Sequence, residues 1–105
     1  MDEFTDVPQE WQEVVMRSNI PDYMKDGVLR YLQWGSRVRN GSFVRLIFEN
    51  NFYEAAKHAD ENNLPRLHIW AQLLYWLPMV CHGSPAKVSA WKGFGPQEET
   101  NAEAS

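Results

Sequence analysis

The chain has 105 residues, a net charge of −4 and a single cysteine. This length fits one domain with its own hydrophobic core, and one cysteine excludes a disulfide bond within the chain. No apolar stretch approaches the roughly 20 residues that span a bilayer, and the N-terminus is acidic where a signal peptide would be basic. A cytoplasmic protein is therefore expected.

The charge is unevenly distributed along the chain. Eight of the fourteen acidic residues lie in residues 1–13 and 98–103, so residues 14–97 hold ten bases and only six acids. Between Asp26 and Glu49 there is no acid, and the four bases there are Arg30, Arg37, Arg39 and Arg45. This basic stretch indicates a surface suited to a negatively charged partner.

The first predicted helix covers about residues 6–17, at the periphery of the domain. Asp6 and Gln9, three positions apart, have the spacing of a capping box. Four apolar residues then recur at helical spacing and indicate one buried face. These are Val7, Trp11, Val14 and Val15.

The second helix is predicted to begin at Ile20-Pro21 and to end at Gly35, since proline suits the first helical turn and glycine the position after the last. Its buried stripe is Met24, Val28, Tyr31 and Leu32. Asn40-Gly41 predicts a turn. A hairpin is the alternative, but only Val38 before it resembles a strand residue.

Ser42 is predicted to cap a third, nearly all apolar helix over about residues 43–50. Asn51 with Glu54 has the spacing of a second capping box and predicts a fourth helix. The polar segment 60–63 then ends that helix and caps the next one.

Residues 64–77 form the most apolar stretch and predict the central helix of the fold. Pro65 and Pro78 mark its start and stop. Trp70, Leu73 and Leu77 share its main apolar face, and cover is expected around most of its circumference. The fold class is therefore all-α, with five or six short helices packed round this central one.

The last helix is predicted to begin at Ser84-Pro85, with Val88 and Trp91 directed inward. Residues 1–95 then form one helical domain. The remaining residues, 96–105, are small and acidic and predict a disordered tail.

Four segments together resemble a family of short uncharacterised proteins encoded in tailed-phage and prophage genomes. The likeness covers about residues 20–95. The segments are Ile20-Pro21-x-Tyr23-Met24-x-x-Gly27-x-x-Arg30-Tyr31, Gly41-Ser42-Phe43, Asn51-x-x-x-Ala55-x-x-x-Ala59-Asp60-x-x-Asn63 and Leu74-Tyr75-x-x-Pro78-x-x-Cys81-x-Gly83-Ser84-Pro85. The resemblance implies a phage origin and a small accessory role in the cytoplasm of a bacterial host.

One flank of the second helix is a candidate partner-binding surface. Tyr23, Arg30 and Trp34 fall on a single line with Gly27 between them. Arg37 and Arg39 follow in the next turn, and this combination of aromatic and guanidinium groups suits an anionic partner. The alternative is that this flank packs against a neighbouring helix, with Gly27 allowing close approach.

Tyr75 and Trp76 form a second candidate for partner binding. Both lie on the side of the central helix that carries His68 and Gln72, away from its main apolar face. A surface Tyr-Trp pair is typical of binding hot spots. The alternative is that another helix covers this side.

The sequence offers no set of residues with the spacing of a catalytic or metal site. His58, His68 and His82 with Cys81 lack the short paired spacings of a zinc site. Cys81 has no predicted neighbouring base, and Ser84 is better explained as a helix cap. The sequence therefore predicts a protein that is not an enzyme and that uses no cofactor.

The leading hypothesis is a binding protein that contacts a host protein, such as a component of host defence, through the surface of residues 23–39. An oligomeric sponge for an anionic small molecule such as a nucleotide is the first alternative. Nucleic-acid binding is the second, although a net acidic chain without a known DNA-binding motif makes it less favoured. A membrane partner is not expected.

Overall fold

The computed structural model describes residues 4–39 and 41–96. This part of the chain contains no β-strand, and its regular elements are helical, so the all-α fold class is confirmed. The α-helices are α1 (Gln9–Arg17), α2 (Asp22–Trp34), α3 (Ser42–Phe48), α4 (Phe52–His58), α5 (Leu67–Trp76) and α6 (Pro85–Ala90). None of them is long and apolar enough to cross a membrane.

Two aromatic contacts occupy the core. The ring of Phe43 in α3 meets Trp70 of α5 edge-on, with centroids 5.3 Å apart, and Tyr31 of α2 packs against Phe48 at 4.4 Å. Such pairs add about 0.5–1.5 kcal/mol each beyond the area that they bury. These contacts connect α2, α3 and α5 into one core.

The apolar stretch at residues 64–77 forms the predicted core element, but its surroundings differ from the prediction. A 3-10 turn at Leu64–Arg66 leads into α5, and the predicted face of Trp70, Leu73 and Leu77 is buried. Its neighbours include α1 and α3. The expected cover around most of the helix is absent from the described residues, because the side with His68 and Gln72 faces solvent.

The first helix begins later than predicted. Pro8 precedes its first residue, Gln9, and no side chain caps it, so the capping box of Asp6 and Gln9 was wrong. The backbone N–H and one carboxylate oxygen of Asp6 instead bond to the amide of Gln33, at 3.2 and 2.8 Å. Val15 is fully buried where α1 meets α2 and α5, so α1 belongs to the core and not to the periphery.

The third and fourth helices pack closely against each other. Gly41 is the residue that precedes α3, so the predicted cap at Ser42 was off by one position. The Asn51 side chain accepts a hydrogen bond from the backbone N–H of Glu54 at 3.3 Å, which confirms the predicted start of α4. Ala55 of α4 is completely buried.

The loop before α5 is ordered by Asp60. Its carboxylate accepts hydrogen bonds from the backbone N–H groups of Asn62 and Asn63, and Asn63 in turn accepts one from the indole of Trp70 at 3.0 Å. The prediction that segment 60–63 caps the core helix was wrong, because Arg66 precedes α5 and no side chain caps either α5 or the 3-10 turn before it. The network also satisfies the polar group of a fully buried tryptophan.

The end of α2 is closed by the last described residues of the chain. The final carbonyl groups of a helix lack partners within the helix. In α2, each of the last four carbonyl groups accepts a hydrogen bond from a residue that follows the helix. The donors are Trp91 Nε1 to Tyr31, Phe94 N to Leu32, Gly95 N to Gln33 and Arg37 Nε to Trp34, at 2.7–3.3 Å. Residues 91–96, which we call the closing segment, therefore satisfy three of these four carbonyl groups, and Arg37 satisfies the last.

Two glycines allow the closing segment to lie against α2. Gly35 and Gly93 have φ angles of 62° and 92°, and a Cβ at Gly93 would lie 2.2 Å from the carbonyl oxygen of Gln33. Residue 96 was predicted to belong to the disordered tail, but the Pro96 carbonyl accepts a hydrogen bond from Arg37 at 2.8 Å. Residues 97–105 lie outside the described part.

Candidate interaction surface

The structure assigns internal contacts to the first two residues of the line predicted on α2. The Tyr23 hydroxyl donates a hydrogen bond to the carboxylate of Asp60, and this bond is the main reason that the pKa of Asp60 is lowered. Arg30 forms an ion pair with Asp26 one turn earlier, at 2.6 Å. Both side chains are therefore engaged, although Tyr23 remains more than half exposed.

Trp34 and Arg37 anchor the closing segment. The guanidinium of Arg37 lies over the Trp34 ring, 5.2 Å from its centroid, and donates hydrogen bonds to the carbonyl groups of Lys92 and Pro96. Trp34 itself is half-buried. The hydrogen bonds of Arg37 attach residues 92 and 96 to the end of α2. Arg37 is therefore a poor candidate for contact with a partner.

The predicted line on α2 is long, and Arg39 lies beyond its end. Arg39 is exposed and has no hydrogen bond or ion pair with the described residues. Eleven residues of helix separate Tyr23 from Trp34, which corresponds to about 16 Å. A Cβ at Gly27 would meet no atom within 4 Å, so the alternative of close helix approach at Gly27 was wrong.

Tyr75 and Trp76 lie on the solvent side of α5. Their side chains are 79% and 63% exposed, and their rings form an edge-on pair with centroids 5.3 Å apart. Met79 and Val80, in the next turn, are 74% and 61% exposed. We call these four residues the aromatic face. The alternative that another helix covers Tyr75 and Trp76 is excluded for the described residues.

A pocket lies on each side of the aromatic pair. Trp76 lines one of about 310 Å³ between α1 and α5, together with Val14 and Arg17. Tyr75 and Met79 line the other, of about 370 Å³, together with Phe52 and Lys87 among others. Each pocket therefore has an apolar floor and one basic side chain.

The chain matches no protein-family model, no curated protein and no solved structure. The geometry of its own surface is consequently the basis for assigning a function.

Cys81 has the environment of a core residue and not of a nucleophile. Its side chain is fully buried, and its thiol donates a hydrogen bond to the Pro78 carbonyl at 3.1 Å. Burial raises the pKa of the Cys81 thiol to about 12, so the reactive thiolate is scarce at neutral pH. Among the described residues no group of three or more His, Cys, Asp or Glu is placed to hold a metal ion.

The buried thiol predicts a loss of stability in alkaline solution. The pKa of Cys81 in the folded protein, about 12, lies above the ordinary value of 9.0, so deprotonation favours the unfolded chain. The stabilising contribution is fully present below pH 9 and is lost as the pH rises toward 12. Urea unfolding at pH 8, 9 and 10 should show a fall in the free energy of unfolding that is smaller in Cys81→Ala. An equal fall in both proteins would contradict the assignment.

The sequence indicated half of the aromatic face and missed the other half. Tyr75 and Trp76 stood opposite the apolar stripe of the helix, which was a usable signal. Met79 and Val80 follow Pro78 in a short 3-10 turn, where no helical periodicity distinguishes the exposed side from the buried side occupied by Cys81.

Proposed function

We propose that the protein is a small, non-enzymatic binding protein of the phage accessory type, which binds a protein of the bacterial host through the aromatic face. The observation that carries this proposal is the exposure of Tyr75 and Trp76 at the end of α5 and of Met79 and Val80 in the turn that follows it. The phage origin rests on the sequence resemblance over residues 20–95.

The composition of the aromatic face supports binding to a protein. Tyrosine and tryptophan dominate interface energetics because they bury large areas with little loss of conformational freedom. Methionine adapts its shape to a partner surface. Exposed apolar groups that adjoin one another favour an interface, whereas single exposed apolar residues need no such explanation.

The charges beside the aromatic face indicate the chemistry of the partner. The Arg17 side chain is highly exposed and only loosely paired with Glu13 at 3.9 Å, and Lys87 borders the other pocket. An apolar protrusion flanked by acidic side chains would complement this arrangement. A second copy of the chain would instead bring two sets of the same basic groups together.

The proposal moves the contact surface away from residues 23–39, where the sequence placed it. Tyr23, Arg30 and Arg37 already have partners within the fold, so recruiting them for binding would require breaking those contacts. Tyr75 and Trp76 require no such change. The interface is thus available in the folded protein as it stands.

Affinity capture with matched variants tests the proposal. The tagged full chain is used to retain proteins from a bacterial lysate, and Trp76→Ala is compared with Tyr53→Ala, which removes a somewhat more exposed aromatic residue from α4. Loss of a hot-spot tryptophan costs about 2 kcal/mol or more, so the partner should bind at least roughly 30-fold more weakly to Trp76→Ala. Tyr53→Ala should retain it.

Both variants should fold, because exposed substitutions of this kind change stability by only about 0.5 kcal/mol. Retention of the same partner by wild type and Trp76→Ala alike would remove the aromatic face from consideration. Concentration-dependent dimerisation that Trp76→Ala abolishes, without any retained host protein, would show a self-association surface instead.

A further inference from the structure

A third surface pocket, of about 350 Å³, has a composition unlike the other two. It lies where the end of α2, the start of α3 and α6 meet, and shares no lining residue with the pockets beside the aromatic face. Three arginines and no acidic residue line it. The lining residues are Tyr31, Ser36, Arg37, Val38, Arg39, Arg45 and Val88. We call it the arginine pocket.

The charge of Arg37 is not neutralised by any carboxylate of the described residues. Its Nε and Nη1 atoms donate only to backbone carbonyl groups, and its Nη2 atom is buried without a hydrogen-bond partner. Because the side chain is only half-buried, solvent screens part of this charge, and the buried Nη2 end is screened least. Arg37 therefore contributes a fixed positive potential at the wall of the pocket, while its nitrogens remain occupied or enclosed.

Arg39 and Arg45 supply the groups able to contact a ligand. Arg39 is exposed and unpaired with the described residues, and Arg45 is half-exposed. Glu49 pairs with one terminal nitrogen of Arg45 at 3.3 Å, which leaves the other nitrogen available. At the rim, the Lys92 ammonium lies 3.1 Å from Ser36 Oγ and adds a further positive charge.

We infer that the arginine pocket binds a phosphate monoester of a small molecule. Arg39 offers paired guanidinium donors and Arg45 one free terminal nitrogen to a tetrahedral dianion, and Arg37 raises the local potential. The four basic residues in and beside the pocket face one acidic residue, Glu49. The resulting excess of positive charge would be reduced by a bound dianion. The volume corresponds to the small end of ligand pockets, which fits a phosphorylated metabolite better than a polymer.

The site is independent of the proposed function. It uses other residues, and its test measures a small ligand with the purified full chain and no host protein. Nucleic acid is the competing occupant for a cluster of arginines, and it would show binding that weakens steeply with salt.

Thermal unfolding of the full chain at constant ionic strength tests the inference. The probes are glycerol 3-phosphate, inorganic phosphate and uncharged glycerol. The melting temperature should rise with glycerol 3-phosphate and saturate, and glycerol should have no effect beyond its known solvent action at equal concentration. An equal response to inorganic phosphate would identify free phosphate as a sufficient ligand of the same class.

Two variants and a charge-matched control make the test specific. Arg39→Ala and Arg45→Ala should each weaken glycerol 3-phosphate binding by about 10-fold or more, because each removes charge-assisted hydrogen bonds. Arg17→Ala removes the same charge from another surface and should bind as wild type does. Circular dichroism checks the fold of Arg39→Ala, which removes no hydrogen bond or ion pair with the described residues and should give the wild-type spectrum.

The inference would be overturned by the absence of a saturable response to either phosphate probe. It would also be overturned by equal weakening in Arg17→Ala, which would indicate only a general effect of net charge. Binding of a short single-stranded DNA that is lost in Arg39→Ala, with no response to glycerol 3-phosphate, would assign the pocket to nucleic acid.

Discussion

Replacing Gly93 with alanine is expected to lower the free energy of unfolding by about 3 kcal/mol or more. An alanine held at a φ of 92° is strained by about 1–3 kcal/mol. The added Cβ would also lie 2.2 Å from the Gln33 carbonyl oxygen, so the backbone has to separate. The hydrogen bonds from Phe94 and Gly95 to α2 would then be lost, at about 0.5–1.5 kcal/mol each.

Gly27→Ala is the matched control for this prediction. Gly27 lies inside α2, where an added Cβ would have no atom within 4 Å, and alanine is the better helix former by about 0.5–1 kcal/mol. Urea unfolding should therefore show Gly27→Ala to be at least as stable as wild type. Equal stability of Gly93→Ala and wild type would show that the closing segment contributes nothing to the end of α2.

The second large effect is expected for Trp70→Ala, at about 3–5 kcal/mol. Trp70 is completely buried, packs edge-on against Phe43 and donates its indole N–H to Asn63. Truncation leaves a cavity in the core and removes the partner of a buried amide. In a domain of this size, such a loss takes away a large part of the total stability.

Trp76→Ala provides the comparison within the same helix. It makes the same chemical change six residues later, but at a side chain that is 63% exposed. Its free energy of unfolding should stay within about 0.5 kcal/mol of wild type. A near-normal melting temperature for Trp70→Ala, or a large loss for Trp76→Ala, would contradict the orientation of α5.

Local sequence signals predicted most helix boundaries. Gly35 ended α2 with a positive φ, and the Ser84 side chain accepts a hydrogen bond from the Lys87 N–H at the start of α6. Both features depend on residues close in sequence, so spacing alone was sufficient. The error at α1 arose because Asp6 had a distant alternative partner, the buried amide of Gln33.

Contacts between distant segments could not be predicted in the same way. Closure of α2 by residues 91–96 uses the backbone N–H groups of Phe94 and Gly95 as well as the Trp91 indole, and no spacing in the sequence indicates that these groups meet α2. The same closure explains why Arg37, which looked like a free surface charge, is bonded to Lys92 and Pro96. Charge in a sequence identifies a cation but does not say whether the fold already uses it.

The two candidate surfaces also differ in this respect: one could be predicted from local sequence, and the other depends on contacts between distant segments. Exposure of Tyr75 and Trp76 follows from the position of the apolar stripe on α5. The arginine pocket depends on Val88 of α6 lying beside the turn after α2, an arrangement set by the long-range contacts of the closing segment. Arg45 was visible in the sequence as part of the basic stretch, but its position beside Arg39 was not.

Oxidative footprinting of the captured complex measures the proposed interface most directly. Hydroxyl radicals modify exposed aromatic and sulfur side chains, and mass spectrometry compares the free chain with the bound one. We expect Tyr75, Trp76 and Met79 to be protected in the complex, while Tyr53 and Met16 are modified equally in both. Unchanged oxidation of Trp76 together with protection of Tyr23 would contradict the account and return the interface to α2.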